Sequence, residues 1–366
     1  MVQGATSILV MIFALGLVVL VHEWGHYFAA KRNGIIVEEF AIGMGPKLFG
    51  IVKNGTLFSL RALPLGGYCK MFGMEGAVDE EHANAAGAFV NKKVWQRITV
   101  ILAGSVMNFI LALFLLTAVF SMVAFTVPVV RELTPDMPGE AAGLRPGDRI
   151  TRIDNRRIRT FDDVTLALAQ SGGSAMTVSV LRDGQRLVKN IVPVQAAATG
   201  GGTVYRIGFA PDIRAGAFAP DMGFARYNLL ETGVYSFWQT LGFMRMTLSV
   251  LTDVAALRDN VMGPIGATAV VGDVLEQGAA QGATGTDLLI WLLRFTGMIS
   301  LGVGILNWLP LPAMDGGRFI FLAIEGIRRK PVPPEKENMV HVVGFMALMV
   351  LAVFIAYNDI IRIITQ

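Results

Sequence analysis

Ala5-Thr-Ser-Ile-Leu-Val-Met-Ile-Phe-Ala-Leu-Gly-Leu-Val-Val-Leu-Val21 runs without a charge into His22-Glu23-Trp24-Gly25-His26. A span of the bilayer takes about 20 mostly apolar residues, and this stretch, continued to Ala30, supplies them. A cleaved signal peptide would need a basic start and a small-residue cleavage site. Met1–Thr6 holds neither Lys nor Arg, and no such site precedes the charged end. The segment is therefore expected to stay as a membrane helix over about residues 5–30. Its inner end carries three ionisable side chains in five residues, where lipid makes such groups expensive and functional by default.

Three further stretches have the same character. Residues of about 98–125 carry no formal charge, 288–310 are interrupted by Arg294 alone, and 340–361 open near His341. Arg294 is expected to snorkel to an interface, and His82 and His341 to be exposed or interfacial. The whole chain of 366 residues is 53% hydrophobic and 16% charged, against about 25% charged in soluble domains. That excludes a disordered chain and argues against one soluble globule. A net charge of +3 with no basic arm argues against a nucleic-acid partner. One cysteine, Cys69, permits no internal disulfide framework. The expected class is a polytopic α-helical membrane protein with four transmembrane helices.

Loop charge orients these spans. Lys31, Arg32, Lys47, Lys53, Arg61, Lys70, Lys92, Lys93 and Arg97 follow the first, and Arg318, Arg328, Arg329, Lys330 and Lys336 follow the third. The positive-inside rule makes both connections cytoplasmic. Both termini and the segment between spans two and three then lie outside the cytoplasm, with Arg362 alone opposing.

That outer segment contains a small β-rich domain over residues 128–194. Val129-Val-Arg131 is a short strand candidate. Thr160 with Asp162-Asp163 starts a helix carrying Val164, Leu166 and Leu168. Thr177–Leu181 alternates and meets Asp183-Gly184, a hairpin signal. Ala142-Gly-Leu-Arg-Pro-Gly-Asp-Arg-Ile150 resembles the signature of bacterial PDZ domains. Residues 195–262 read as a linker, a strand pair near Tyr205–Phe209, and an amphipathic helix within 224–257. Arg226, Glu231, Gln239 and Arg245 among its aromatics favour an interfacial helix over a fifth span.

The chemistry sits in two motifs. His22 and His26 stand at i and i+4, so both imidazoles share one helix face and reach one ion, with Glu23 beside it. A catalytic zinc takes three protein ligands and keeps one open position. Asn307-Trp-Leu-Pro-Leu-Pro-Ala-Met-Asp315-Gly-Gly317 offers the third. Its prolines and glycines argue against a continuous helix, and irregular backbone at membrane depth must line a cavity or be buried in protein.

Together, H-E-x-x-H on the first span and N-x-x-P-x-P-x-x-D-G-G on the third resemble the site-2 protease family of intramembrane zinc metalloproteases. The similar branch is the bacterial PDZ-containing one that cuts anti-sigma factors. Arg61-Ala-Leu-Pro-Leu-Gly-Gly-Tyr-Cys-Lys-Met71 is similar to its P-x-G-G-Y-x-K-M segment, and Gly263-Pro-Ile-Gly266 to its G-P-I-G element. The resemblance implies Zn2+ as cofactor, His22, His26 and Asp315 as ligands, Glu23 as catalytic base and acid, and Asn307 near the scissile bond. The alternative for Asn307 is a cap or turn residue before the prolines. It also implies the inner membrane, a lipid bilayer around the chain, and single-span substrates of the anti-sigma type or signal-peptide remnants. The chain departs from the family at Ser105, commonly proline, and at Cys69, commonly valine. It shows one PDZ signature where some members have two.

A helical substrate must unwind before its carbonyls can be attacked, and its freed backbone then needs partners. Gly55–Leu63 reads as a strand after the Lys53-Asn-Gly55 turn, in a cytoplasmic-side β-hairpin of about 53–72. Leu57 and Leu60 would then mark an edge that pairs with substrate, or a purely structural hairpin. The PDZ domain would bind an exposed C-terminal peptide or exclude substrates with bulky outer domains. A membrane-tethered PDZ scaffold with a vestigial metal site is the competing reading, and intact Glu23 argues against it. A metal transporter would carry more ligands along its spans.

Overall fold

The computed structural model describes residues 2–74, 85–197, 203–252 and 263–365; His82 lies outside them. Helix α1 covers Val2–Arg32 and is followed by strands β1 (Val37–Lys53) and β2 (Thr56–Met71). Helix α2 covers Val94–Met122. Next come β3 (Ala124–Leu133), α3 (Pro138–Ala141), β4 (Arg149–Ile153), β5 (Arg156–Arg157), α4 (Phe161–Gln170), β6 (Met176–Arg182) and β7 (Gln185–Ile191). Strands β8 (Val194–Ala197), β9 (Thr203–Arg206) and β10 (Phe209–Ala215) precede helix α5 (Leu229–Thr252). The chain ends with α6 (Pro264–Ala280), α7 (Gly285–Trp308), α8 (Asp315–Arg328) and α9 (Pro334–Thr365).

Four helices among the described residues are long and apolar enough to cross a membrane: Ala5–Arg32, Val94–Met122, Gly285–Trp308 and Glu335–Ile361. Helix α5 is not one of them. The second span stops three residues short of expectation, because Ala124 and Phe125 pair in a ladder with Ala215 and Arg214. The chain forms two compact units, residues 1–115 with 247–366, and residues 116–246.

In the first unit, α1 packs against β2, α6 and α7. Ala30, Ile35, Val37, Met71, Val100, Ile101 and Leu322 form one apolar core at the base of this group. Arg97 and Glu325 pair across it, tying α2 to α8. Two helices were not expected. Helix α8 replaces a plain basic loop, burying Leu322, with Asp315 and Glu325 turned inward and Arg328 exposed. Helix α6 starts at Gly263-Pro-Ile-Gly266, where Asp359 of α9 accepts the Gly266 N–H at 2.8 Å and caps the first turn.

The β-hairpin is longer than expected and begins at Val37. Asn54 (φ 50°) and Gly55 (φ 73°) form its two-residue turn, as a type I′ turn demands. Residues 39–42 lie beside 57–60 and also beside 67–70, while 57–60 further pair with 49–52. The expected edge at Leu57 and Leu60 is therefore an interior segment, bonded on both sides. Among the described residues, 47–53 and 67–71 are the outer strands of this hairpin. Glu39 fixes this order by accepting hydrogen bonds from Ser59, Arg61 and Tyr68.

In the second unit, six strands make one sheet in the order β10-β3-β4-β6-β7, with β5 against β4. Thr160 caps α4 through a reciprocal box with Asp163, and Asp183-Gly184 turns β6 into β7. Ile150, Ile153, Val164, Val178, Val180 and Ile191 fill the core. The sheet draws on residues beyond 128–194 at both ends. Strand β10 begins at the strand pair expected near Tyr205–Phe209 but pairs with β3, because Phe209 and Ala215 find buried partners there. Asp148 in the Ala142–Ile150 turn accepts two bonds from Arg182 and one from the Arg145 N–H. Burial alone would raise its pKa; these donors outweigh it and hold the carboxyl below its ordinary value.

Helix α5 reverses the usual amphipathic arrangement. Thr232, Ser236, Gln239 and Thr240 are buried, and Gln239 bonds Asp162. Leu229, Leu230, Val234 and Phe237 are exposed instead.

Candidate metal centre

The histidines sit near the end of α1, one turn apart. Their Nε2 atoms are 3.1 Å apart. Asp315, the first residue of α8, places Oδ2 3.2 Å from His22 Nε2 and 3.3 Å from His26 Nε2. Three lone-pair atoms thus form a nearly equilateral triangle. Tetrahedral ligands at Zn–N and Zn–O distances of about 2.0–2.1 Å are separated by about 3.3 Å, so the triangle has the size of one face around a zinc ion. The chemistry of the set, two imidazoles and a carboxylate, is also that of hydrolytic zinc sites.

The tautomer of His26 is fixed. Its Nδ1 lies 2.9 Å from the Val100 carbonyl, which can only accept, so Nδ1 bears the proton and Nε2 is free to ligate. Gly104 supplies the space for both rings. A β-carbon there would lie 2.4 Å from His26 Nε2 and 2.8 Å from His22 Nε2. Gly25 likewise lets the two helices meet, since its β-carbon would fall 2.4 Å from the Ala103 carbonyl oxygen. Ser105, where the resemblance led to proline, is fully buried and α2 runs through it unbroken.

Asp315 reaches the histidines because the chain breaks after Trp308. Leu309–Met314 fold back, with Ala313 at φ 69°. Gly316 and Gly317 permit the return: their β-carbons would lie 2.1 Å from the Leu309 oxygen and 2.3 Å from the Leu311 oxygen. His341 accepts the Ala313 N–H at Nδ1, 2.8 Å away, and braces this loop from α9.

These groups line one cavity of about 590 Å³ with Glu23, Asn307 and residues 68–71 of β2. The Cys69 backbone N–H is in hydrogen-bonding reach of the Glu23 carboxylate. Asn307 borders the cavity but donates its amide to the Val303 oxygen one turn back, 3.1 Å away. Leu57 and Leu60 are not among the lining residues. Burial, with Glu23 beside it, pushes the Cys69 thiol up to about 12, which keeps it from being a ready thiolate ligand. Reasoning from sequence missed Gly104, the Val100 carbonyl, the Cys69 N–H and His341. The signal for Gly104 was its place in Ala103-Gly-Ser-Val-Met-Asn-Phe109.

Comparison with known proteins matches residues 10–351 to the family described as Peptidase family M50. The chain belongs to that family. A Rhizobium meliloti protein whose name describes a zinc metalloprotease is 33% identical over 371 residues, covering 95% of each chain. A similarly named Clostridium acetobutylicum protein is 32% identical over 359 residues, covering 97% of each. Zinc metalloprotease RasP of Oceanobacillus iheyensis is 29% identical over 439 residues, 98% of this chain and 99% of that one. The M50 chain described here is thus a zinc metalloprotease with helices suited to a membrane.

Proposed function

We propose that the protein is an intramembrane endopeptidase that hydrolyses peptide bonds within transmembrane segments, with Glu23 as catalytic residue and His22, His26 and Asp315 as zinc ligands. The supporting observation is the convergence of three ligand atoms, two on a bilayer-length helix and one at the start of α8, with Glu23 beside them. Zinc bound there supplies Lewis acidity, which lowers the pKa of a water towards neutrality. Glu23 takes the proton from that water and delivers it to the leaving amine. Asn307 turns its amide from the Val303 carbonyl towards the developing oxyanion.

An unwound substrate pairs with the edge at residues 67–71 rather than with Leu57 or Leu60. That segment is an outer strand of the hairpin and borders the cavity, whereas 57–60 is bonded on both sides. Substrates are single-span proteins of the anti-sigma type or signal-peptide remnants, in the inner membrane, with the active site near the cytoplasmic side. The β-rich unit is an extracytoplasmic PDZ domain that docks a C-terminal peptide or limits substrate size, and the apolar ridge of α5 rests on lipid.

Mass mapping of the products from a reconstituted single-span substrate tests this reading. Cuts inside the span support it. Cuts confined to water-exposed flanks contradict it.

A further inference from the structure

One fully buried side chain beside the metal centre has no role in the chemistry above. Asn108 lies in α2, and its side-chain amide is 3.2 Å from Nδ1 of His22. With Nδ2 turned to the ring, Oδ1 is buried without any partner, and an orphaned amide oxygen costs about 1–3 kcal/mol. Amide oxygen and nitrogen have nearly the same shape, so hydrogen bonding decides between the two orientations. Turning the amide by half a turn leaves Nδ2 in that unpartnered position instead, and offers Nδ1 an acceptor, so the proton on His22 decides the orientation.

The second histidine shows why that orientation is needed. His26 has a carbonyl acceptor at Nδ1 and so presents a bare Nε2 to the triangle. His22 can ligate in the same way only if its Nδ1 keeps the proton. Donation from Nδ2 would force the proton onto Nε2, into the space the ligand triangle encloses. Residues Val100, Gly104 and Asn108 form one i, i+4, i+8 stripe on α2: an acceptor for His26, room for both rings, and an acceptor for His22.

We propose that Asn108 is a positioning residue of the metal site, its side-chain carbonyl accepting the His22 Nδ1–H and fixing the ligating tautomer. The position is itself braced. Ser300, fully buried on α7, donates to the Asn108 backbone oxygen at 2.8 Å. Phe109 next door packs on Gly304, whose β-carbon would lie 2.7 Å from that ring. The role rests on zinc being held by His22, and metal-ligand partners of this kind are worth about 10–100-fold in affinity.

The test uses the full chain in detergent and reads zinc affinity by chelator competition. Asn108→Leu, which fills the space without an acceptor, is expected to bind zinc about 10–100-fold more weakly. Asn108→Asp, which can only accept, is expected to bind within about threefold of wild type. A merely space-filling Asn108 leaves both variants near wild type. Wild-type affinity in Asn108→Leu, or equal weakening in both variants, overturns the proposal. A second reading needs no variant: nitrogen NMR of the zinc-loaded wild type, with labelled histidine, should show His22 Nδ1 protonated. An unprotonated Nδ1 overturns the proposal while leaving zinc binding intact. A wild type that takes up no zinc overturns the metal reading itself.

Discussion

Gly104 stands against His26 so closely that a β-carbon on it would fall 2.4 Å from Nε2, the atom that faces the ligand triangle. Van der Waals contact needs more than 3 Å, so the ring and the methyl group cannot both stay. Gly104→Ala is expected to displace an imidazole and weaken zinc binding by at least about 10-fold, with cleavage lost in proportion. Zinc content after dialysis against a chelator measures it. Undiminished zinc in that variant would contradict the packing described.

A second glycine separates metal binding from catalysis. On Gly67, a β-carbon would meet the Ala41 oxygen at 2.9 Å and Glu23 Cγ at 3.3 Å. Gly67→Ala should push the Glu23 carboxylate aside without touching the ligands. Small displacements of a catalytic group are expensive, so kcat is expected to fall about 10-fold or more with zinc retained. Steady-state kinetics and metal analysis on one preparation check both halves.

The hairpin order predicts unequal tolerance of proline. Leu60 is bonded to neighbours on both sides, opposite Ile42 and Phe49, whereas Leu48 lies in the outer segment at an irregular register. Leu60→Pro should abolish hydrogen-exchange protection across residues 37–71. Leu48→Pro should leave it nearly unchanged. Equal protection in the two variants would mean that 57–60 is an edge after all.

Acid should loosen the β-rich unit through Asp148. Its folded pKa lies below the unfolded value, so its contribution is fully present above the unfolded pKa of about 3.9. It disappears as pH falls through the lower folded value. Protease resistance of residues 124–215 should therefore be steady near neutrality and drop in strong acid. Asp148→Asn should lower resistance at pH 7 and flatten the acid response.

Much of this was legible in the residues because the governing rules are local. Long apolar runs mark the four spans, i and i+4 spacing pairs His22 with His26, and prolines before Asp315 announce a chain break. Other features depend on partners distant in sequence. Nothing near Leu57 reveals that residues 39–42 and 49–52 flank it on both sides. The strands expected near Tyr205–Phe209 do not pair with each other: β9 joins β8 and β10 joins β3. Helix α6 is rich in Ala and Gly, and its cap, Asp359, lies 93 residues beyond Gly266. The buried polar stripe of α5 defeats an apolar-inside reading because Asp162 and its neighbours, not lipid, cover it. For the same reason the stripe of Val100, Gly104 and Asn108 carries no visible function until α1 lies against it.

The most direct measurement compares wild type with Glu23→Gln in liposomes containing a single-span substrate, with bound zinc determined in both. The account predicts equal zinc in the two proteins and cleavage within the span by wild type, reduced about 10²–10⁴-fold in the variant. Equal cleavage by both, or none by wild type across a broad substrate panel, would contradict it.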